Sequence, residues 1–297
     1  MKILLLGSRG QVGWELRRSL APLGDVLSLE RGSTLACGDL TQPRALVEGL
    51  QKYRPDVVVN AAAYTAVDQA ESDADLAHVI NASAPAALAQ MCQALGALFV
   101  HYSTDYVFDG AGDAPWTESS VPAPLNVYGQ SKWAGEQAIV ASGCNHLIFR
   151  TSWVYAARGG NFAKTMLRLA KERETLRVID DQFGAPTGAD LIADVTSHAI
   201  KAVKAEPKKQ GLYHLAASGV TTWHGYAVHV IERARSQRLE LDWRVKQIEA
   251  VDSAAFITAA TRPLNSRLDT QRLQQAFGLS LPPWQAGVDR MLDEIND

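Results

Sequence analysis

The sequence predicts an α/β fold in which a doubly wound parallel sheet is combined with a smaller, interleaved C-terminal domain. In the first half, short apolar runs alternate with amphipathic helical segments, and the pattern loosens after about Thr151. Strands that alternate with helices pair in parallel through right-handed crossovers. The runs are continuously apolar, which is typical of strands covered by helices on both faces. We therefore expect a sheet between two layers of helices.

The predicted strands follow one another at regular intervals along the first half. They comprise residues 3–6, 26–29, 57–60, 98–102 and 147–150. Two single strands, residues 176–179 and 212–215, lie later among helices and loops that carry Pro or Gly. We therefore assign residues 1–150 to the sheet domain and residues 151–297 mainly to the smaller domain. Segments at about 175–215 are expected to return to the sheet.

Composition excludes several classes of protein. The formal net charge of -3 provides no broad basic surface for nucleic acid or an anionic membrane. The first apolar run reaches Gly7 too early for a signal peptide or a membrane span. Cys37, Cys92 and Cys144 are widely separated, so we expect neither structural disulfides nor a cysteine zinc site. These features indicate reduced thiols and a cytoplasmic location.

A glycine-rich segment joins the first strand to the first helix. It reads Gly7-Ser8-Arg9-Gly10-Gln11-Val12-Gly13. A tight strand-to-helix turn without large side chains lets backbone N–H groups and the positive helix end approach a pyrophosphate. The glycine spacing is specific only in this strand-turn-helix context. The segment therefore predicts a Rossmann-type dinucleotide site.

The residues after the second strand bear on the choice of cofactor. Glu30 lies about where an acidic side chain accepts hydrogen bonds from an adenosine ribose, which favours a free 2′-hydroxyl. Arg9 and Arg31 are near it in sequence and are suited to a 2′-phosphate. The residues therefore do not separate NADH from NADPH, and use of both is our hypothesis.

Two further segments are candidates for cofactor contact. Asp39 and Leu40 follow a short apolar piece and are expected beside the adenine. Small residues follow the strand at 57–60, in the segment Asn60-Ala61-Ala62-Ala63-Tyr64-Thr65. They leave room for a ligand at a strand end, although close packing explains the alanines equally well.

A phenol and an ammonium lie one helical turn apart in Tyr128-Gly129-Gln130-Ser131-Lys132. Side chains at this spacing share one face of a helix. Reduction of a carbonyl by hydride needs a proton donor, and a nearby positive charge favours ionisation of a tyrosine. Ser103-Thr104-Asp105 follows a strand, so Thr104 is suited to bind the carbonyl oxygen from the other side. Together these residues predict a nicotinamide-dependent reductase.

The same segments resemble the dTDP-4-dehydrorhamnose reductases, a family of extended short-chain dehydrogenases. The resemblance is nearly full-length. It is carried by the glycine turn, by Asn60-Ala61-Ala62-Ala63, and by four longer motifs: His101-Tyr102-Ser103-Thr104-Asp105-Tyr106-Val107-Phe108, Asn126-Val127-Tyr128-Gly129-Gln130-Ser131-Lys132, Arg150-Thr151-Ser152-Trp153-Val154-Tyr155 and Asp181-Gln182-Phe183-Gly184-Ala185-Pro186-Thr187.

The resemblance implies residue roles. Tyr128 is expected to be the proton donor, Lys132 its partner and Thr104 the hydroxyl on the carbonyl side. The expected substrate contacts are Thr104, Asp105, Tyr106 and Trp153. The expected cofactor contacts are Gly7, Gly10, Gln11, Val12, Gly13, Glu30, Asp39, Leu40, Ala62, Ala63, Tyr64, Thr65, Tyr102, Tyr128 and Lys132.

The resemblance also implies a reaction. It is reduction of the C4 keto group of dTDP-4-dehydro-6-deoxy-L-mannose to dTDP-L-rhamnose by NADPH or NADH, for cell-surface polysaccharide such as lipopolysaccharide O-antigen. It implies a homodimer as well, and in some members Mg²⁺. Glu15, on the first helix, belongs to no recognisable ligand cluster in the sequence, so any metal site would be shared between subunits.

Three other functions stay open at this point: another nucleotide-sugar reductase, a nucleotide-sugar epimerase and a noncatalytic regulatory subunit. Related dehydratases carry a carboxylate pair directly after the threonine, and Thr104-Asp105-Tyr106 has no Glu after Asp105, which argues against dehydration. An epimerase would retain its cofactor, whereas a reductase consumes it. A noncatalytic regulatory subunit of the methionine adenosyltransferase type would keep the fold without the chemistry.

Overall fold

A parallel sheet forms the centre of the molecule. The computed structural model describes residues 1–237 and 242–296. Its strands are β1 (Lys2–Leu6), β2 (Asp25–Leu29), β3 (Val57–Asn60), β4 (Leu98–Thr104), β5 (His146–Thr151), β6 (Val154–Tyr155), β7 (Thr175–Ile179), β8 (Phe183–Gly184), β9 (Thr187–Gly188), β10 (Gly211–His214), β11 (Thr221–Thr222) and β12 (Gln247–Val251).

The helices alternate with these strands in the first half and dominate the second. They are α1 (Gln11–Leu20), α2 (Pro43–Tyr53), α3 (Val67–Ala70), α4 (Ala74–His78), α5 (Ala84–Leu95), α6 (Val127–Ala141), α7 (Phe162–Glu172), α8 (Ala189–Ala205), α9 (Trp223–Gln237), α10 (Gln271–Phe277) and α11 (Trp284–Asn296). Among the described residues, no helix combines the length and apolar character that crossing a membrane requires.

The large sheet has the strand order β2-β1-β3-β4-β5-β10, and all its pairs are parallel. The chain builds outward from β1 to β2 and then crosses to the opposite side of β1 to start β3. Open sheets of this kind bind ligands at the carboxyl ends of the strands beside such a crossing. The doubly wound fold class predicted from the sequence is confirmed.

Continuous apolar strands explain the two helix layers. Along β1, Ile3 and Leu5 pack into the core that includes α1 and α8, whereas Leu4 and Leu6 pack into the core that includes α2 and α5. Side chains of successive residues in a strand point to opposite faces. Both faces of β1 are therefore buried.

The C-terminal half adds a separate aromatic core. It contains Tyr155 of β6, Tyr226 of α9, and Trp284, Val288 and Leu292 of α11. This half meets the sheet domain above the carboxyl ends of the strands, because Trp153 and Trp223 line the same cavity as the glycine turn.

One detail differs from the prediction. Only part of the segment at about 175–215 returns to the large sheet: α8 packs on α1, and β10 pairs with β5. β7 instead pairs in parallel with β12 in a sheet of its own. A single short strand carries no signal about its partner, and the partner here comes 70 residues later.

Candidate active site

A cavity of about 950 Å³ opens at the carboxyl ends of β1, β3 and β4. It extends from the glycine turn to the aromatic rings of the C-terminal half. Its lining contains 17 of the residues predicted as cofactor or substrate contacts: Gly7, Gly10, Gln11, Val12, Glu30, Asp39, Leu40, Ala62, Ala63, Thr65, Tyr102, Thr104, Asp105, Tyr106, Tyr128, Lys132 and Trp153.

The glycine turn is too crowded for side chains. Gly7 has a positive φ of 80°, and a Cβ atom on Gly13 would lie 2.0 Å from the Gly7 carbonyl oxygen. α1 begins after Gly10 without a side-chain cap, so no side chain occupies its first N–H groups. Uncapped helix N-termini bind phosphate through these groups. The turn therefore fits the pyrophosphate of a dinucleotide.

The charged side chains near the turn pair with one another. Arg9 forms an ion pair with Glu30, and Arg31 lies 3.5 Å from Asp39. The pKa of Asp39 is lowered: burial acts in the opposite direction, and hydrogen bonds from Thr41 together with the Arg31 charge outweigh it. Both signs of charge are thus present where the adenosine ribose is expected.

The start of α6 places the predicted phenol and ammonium. The Asn126 side chain caps the helix by accepting a hydrogen bond from the Gly129 N–H at 2.8 Å. Gly129 also permits a close approach, since a Cβ there would lie 2.2 Å from the Tyr106 carbonyl oxygen. Tyr128 and Lys132 therefore lie against the end of β4, and both line the cavity.

Burial dominates the ionisation of Tyr128. It raises the pKa of the phenol to about 12, while a hydrogen bond with Thr104 acts in the opposite direction and the Asp105 charge adds to the rise. From the sequence, the charge of Lys132 was expected to lower the pKa of Tyr128. In this arrangement burial determines that pKa instead. The Lys132 Nζ instead turns towards β4 and donates to the Tyr102 carbonyl oxygen.

Lys132 is only 2% exposed. Its Nζ donates to the Tyr102 carbonyl oxygen at 2.5 Å and lies 3.2 Å from His101 Nε2. Burial lowers the pKa of Lys132 to about 8, against the charge of Glu136, which raises it. Glu136 is itself held by a buried, two-point ion pair with Arg150, at 2.6 and 2.9 Å.

Thr104 and Asp105 end β4 as a linked pair. The Thr104 hydroxyl accepts from the Tyr106 N–H at 3.1 Å and donates to Asp105 Oδ1 at 3.0 Å. Burial raises the pKa of Asp105 to about 6, against its hydrogen bonds. Nearby, Ser103 Oγ and Thr151 Oγ1 are buried without a hydrogen-bond partner in the part of the chain that the structure describes. These polar groups suit a hydroxyl-rich ligand.

An aromatic stack closes the far end of the cavity. Trp153 adopts a left-handed backbone with φ 48°, and its ring lies parallel to that of Trp223 at 3.8 Å between centroids. Gly184 makes room for it, since a Cβ there would lie 2.8 Å from the Trp153 ring. Flat apolar faces of this kind pack against sugars and bases.

Two predicted residues lie outside the lining. Gly13 packs beneath the turn, and Tyr64 is turned away, because its hydroxyl donates to Asp73 at 2.9 Å. Sequence reasoning missed other lining residues, including Ser103, Thr151, Ser152, Val154 and Trp223. The first four lie inside quoted motifs, which was the available signal, but were given no role in the site. Trp223 had none, since a lone Trp at a helix start resembles a core residue.

The described residues of one chain do not fit an Mg²⁺ site. Among the described residues, no group of three or more His, Cys, Asp or Glu side chains is placed to hold a metal. Glu15 lies 3.6 Å from Arg18, and burial raises its pKa, with Asp190 and Glu294 contributing. Those three carboxylates line one small cavity, in which Arg290 pairs with Asp190.

Comparison with known proteins gives a consistent result. A family model described as the RmlD substrate binding domain matches residues 1–296. The dTDP-4-dehydrorhamnose reductase of Shigella flexneri is 56% identical over 295 residues, covering 99% of this chain and 98% of the relative. That of Burkholderia thailandensis is 47% identical and covers 97% of both chains.

Solved structures agree. A dTDP-4-dehydrorhamnose reductase from Clostridium acetobutylicum superposes with a TM-score of 0.90, at 32% identity and with 100% of both chains covered. The reductase of Bacillus anthracis, solved in complex with NADP, gives a TM-score of 0.87 at 35% identity and covers 99% of both chains.

Proposed function

The chain belongs to the dTDP-4-dehydrorhamnose reductase family, and from this premise we propose how its own residues perform the reduction. It is an oxidoreductase that reduces the C4 keto group of dTDP-4-dehydrorhamnose with a nicotinamide cofactor. The observation that carries the proposal is one cavity joining an uncapped glycine turn to a half-buried tyrosine and a buried lysine.

The cofactor, when bound, supplies the hydride. We assign its pyrophosphate to the backbone N–H groups of Gln11 and Val12 at the start of α1, and its adenosine to the region of Glu30 and Asp39. The remaining predicted cofactor contacts that line the cavity extend this path towards Tyr128. Gly13 lies beneath the turn, where its lack of a side chain leaves room for the Gly7 carbonyl oxygen.

Tyr128 supplies the proton. A phenol whose pKa is raised to about 12 keeps its proton at neutral pH, which is the state that a proton donor needs. The oxygen at C4 becomes an alkoxide as hydride arrives, and an alkoxide is a stronger base than a phenolate. Proton transfer from Tyr128 Oη is therefore favourable. Lys132, one turn along α6, stabilises the phenolate that remains.

Thr104 binds the keto oxygen from the other side. Its hydroxyl is already oriented, because it accepts from the Tyr106 N–H and directs its proton to Asp105. Donation to the keto oxygen replaces the bond to Asp105. We assign the sugar to the region between Asp105, Tyr106 and the Trp153 ring, where the lining combines polar atoms with a flat apolar surface.

Tyr128→Phe tests this assignment, with Tyr53→Phe at the end of α2 as the matched control. The rate of NADPH oxidation with the keto sugar should fall on the order of a thousandfold in Tyr128→Phe and stay unchanged in the control. Turnover close to that of the unaltered protein would refute the role of Tyr128. Equal amounts of oxidised cofactor and dTDP-rhamnose are expected, whereas an epimerase would give product without net oxidation.

The resemblance also supports three finer proposals. The chain forms a homodimer, acts in the cytoplasm, and provides rhamnose for cell-surface polysaccharide such as O-antigen. Free cysteines, two of them buried, support a reducing compartment. Light scattering of the purified protein tests the dimer: a particle of one chain at micromolar concentration would contradict it.

A further inference from the structure

Three buried polar side chains form a line from the sheet to the active-site lysine. Asn60 and His101 are direct partners in the ladder of β3 and β4, and each is 1% exposed. Asn60 Nδ2 lies 3.2 Å from His101 Nδ1, and His101 Nε2 lies 3.2 Å from Lys132 Nζ. Of these three side chains, only Lys132 lines the cavity.

The histidine ring is held firmly between these neighbours. Phe99, two residues earlier on the same face of β4, lies 6.0 Å away between ring centroids at an interplanar angle of 27°. The β3–β4 register fixes the distance to Asn60. His101 therefore keeps both ring nitrogens on their partners.

Hydrogen-bond donors and acceptors then determine where the ring proton lies. Asn60 Oδ1 accepts from the Ala62 N–H at 3.2 Å, so its Nδ2 faces the ring. An amide NH₂ only donates, so His101 Nδ1 must accept. A neutral ring of this kind carries its proton on Nε2, pointing at Lys132 Nζ.

This arrangement suits one charge state of the lysine. Nζ donates to the Tyr102 carbonyl oxygen, and only a neutral amine has a lone pair to accept from Nε2–H. An ammonium instead needs an unprotonated Nε2, which places the ring proton on Nδ1 and requires the Asn60 amide to rotate and present its oxygen. The tautomer of His101 and the charge of Lys132 therefore change together.

We propose that His101, oriented by Asn60, is a positioning residue that directs the Lys132 side chain and couples its charge to the histidine tautomer. The proposal rests on the proposed function for its consequence in catalysis. Lys132 can stabilise a phenolate on Tyr128 only as an ammonium, so the tautomer shift of His101 accompanies the active state.

The surrounding charges are compatible with such a switch. Burial and the Lys132 charge keep the pKa of His101 well below its usual value, so the ring stays neutral. Burial lowers the pKa of Lys132 to about 8, within reach of ordinary buffers. The other charged groups nearby are Glu136, which is paired with Arg150, and Asp105 at the end of β4.

Nitrogen NMR of the protein labelled with ¹⁵N-histidine tests the tautomer without cofactor or turnover. The His101 signals, assigned by their loss in His101→Leu, should report a proton on Nε2 at high pH and on Nδ1 once Lys132 gains its proton, with a midpoint at about pH 8. His146 is an internal control, because its Nδ1 faces the Cys144 carbonyl oxygen, which only accepts. A single His101 tautomer between about pH 6 and pH 10, or an imidazolium signal, overturns the proposal.

Asn60→Asp provides the second arm. A carboxylate of the same shape only accepts, so it locks the proton on Nδ1 and favours the ammonium. The pH profile of kcat should move up by roughly one unit, which is tenfold in the ratio of charged to neutral lysine. In the His101→Leu background the same Asn60→Asp change should leave the profile in place. A shift of equal size there would indicate a direct charge effect and would overturn the proposal.

The two proposals fail separately. A protein that oxidises no NADPH with the keto sugar contradicts the proposed function, while the NMR titration still decides the coupling of His101 and Lys132. A normal reductase with a fixed His101 tautomer contradicts only the coupling.

Discussion

Charged side chains have different kinds of partner at the two ends of the cavity. At the adenosine end, Arg9 has a side chain that is 76% exposed and pairs with Glu30, and Arg31 pairs with Asp39. At the catalytic end, Lys132 and Asp105 are buried, and neither forms an ion pair within the described residues. Each instead relies on neutral hydrogen-bond partners.

This difference predicts where substitutions have large effects. Exposed ion pairs contribute little, because water and salt screen them and long side chains lose entropy in forming them. A buried charged group with neutral partners is not screened by water in this way. Its pKa therefore changes when the side chains around it change. The catalytic end should therefore respond strongly to single substitutions and the adenosine end weakly.

Lys132→Met should have the largest effect. It keeps the length and apolar stem of the side chain but removes the charge that stabilises the phenolate. We expect kcat/KM with NADPH to fall on the order of a thousandfold, about 4 kcal/mol of transition-state stabilisation, with weaker cofactor binding as well. Lys201→Met, on the exposed side of α8, is the control. Unchanged kinetics in Lys132→Met would contradict the expectation that the catalytic end responds strongly to single substitutions.

Asp105→Asn should change how stability depends on pH. The folded state raises the pKa of this carboxyl from 3.8 to about 6, so its contribution to stability is complete below pH 3.8 and is lost as pH rises through about 6. The asparagine variant should lack this loss and be more stable at neutral pH by about 3 kcal/mol at most. Urea unfolding between about pH 4 and pH 7.5 measures it.

The exposed Asp113→Asn provides the baseline for that titration. It should reproduce the pH dependence of the unaltered protein. An Asp105→Asn variant with the same slope as this control would show that burial does not govern the Asp105 carboxyl.

The sequence predicted those parts of the fold and the site that depend on local patterns. The strands with continuous apolar runs and the glycine turn are local signals, and they located β1, β3, β4 and the helix start at α1. The spacing of Tyr128 and Lys132 placed both on one helix face. The partner of β7 could not be predicted, because β12 follows it only after α8, β10 and α9.

The ionisation of the site residues could not be predicted from the sequence either. The direction of Lys132, towards His101 and the Tyr102 carbonyl rather than towards Tyr128, depends on the packing of α6 against β4. The direction of Tyr64 depends on packing as well, since its hydroxyl donates to Asp73 from a neighbouring helix segment. The motifs predicted which residues come together, whereas the packing of helices against strands determines which way each side chain points.

Gly13→Ala should have an intermediate effect at the glycine turn, between the two ends of the cavity, through shape rather than charge. The added Cβ would lie 2.0 Å from the Gly7 carbonyl oxygen, so the turn must shift. We expect the free energy of unfolding to drop by about 2 kcal/mol and NADPH binding to weaken. Gly160→Ala, where a Cβ would meet nothing within 4 Å, is the control. An equal effect of both substitutions on NADPH binding, measured by tryptophan fluorescence, would contradict the crowded turn.

Glu30→Gln should have the smallest effect and should act on cofactor preference alone. It removes the carboxylate that pairs with Arg9, which frees the guanidinium for a 2′-phosphate and weakens the contact with a ribose 2′-hydroxyl. The ratio of kcat/KM for NADPH to that for NADH should rise by less than about fivefold, because an exposed pair contributes under about 1 kcal/mol. Glu48→Gln on the exposed side of α2 should leave the ratio unchanged. A change of a hundredfold or more would mean that Glu30 is as critical as a buried group, and the distinction between the two ends of the cavity would fail.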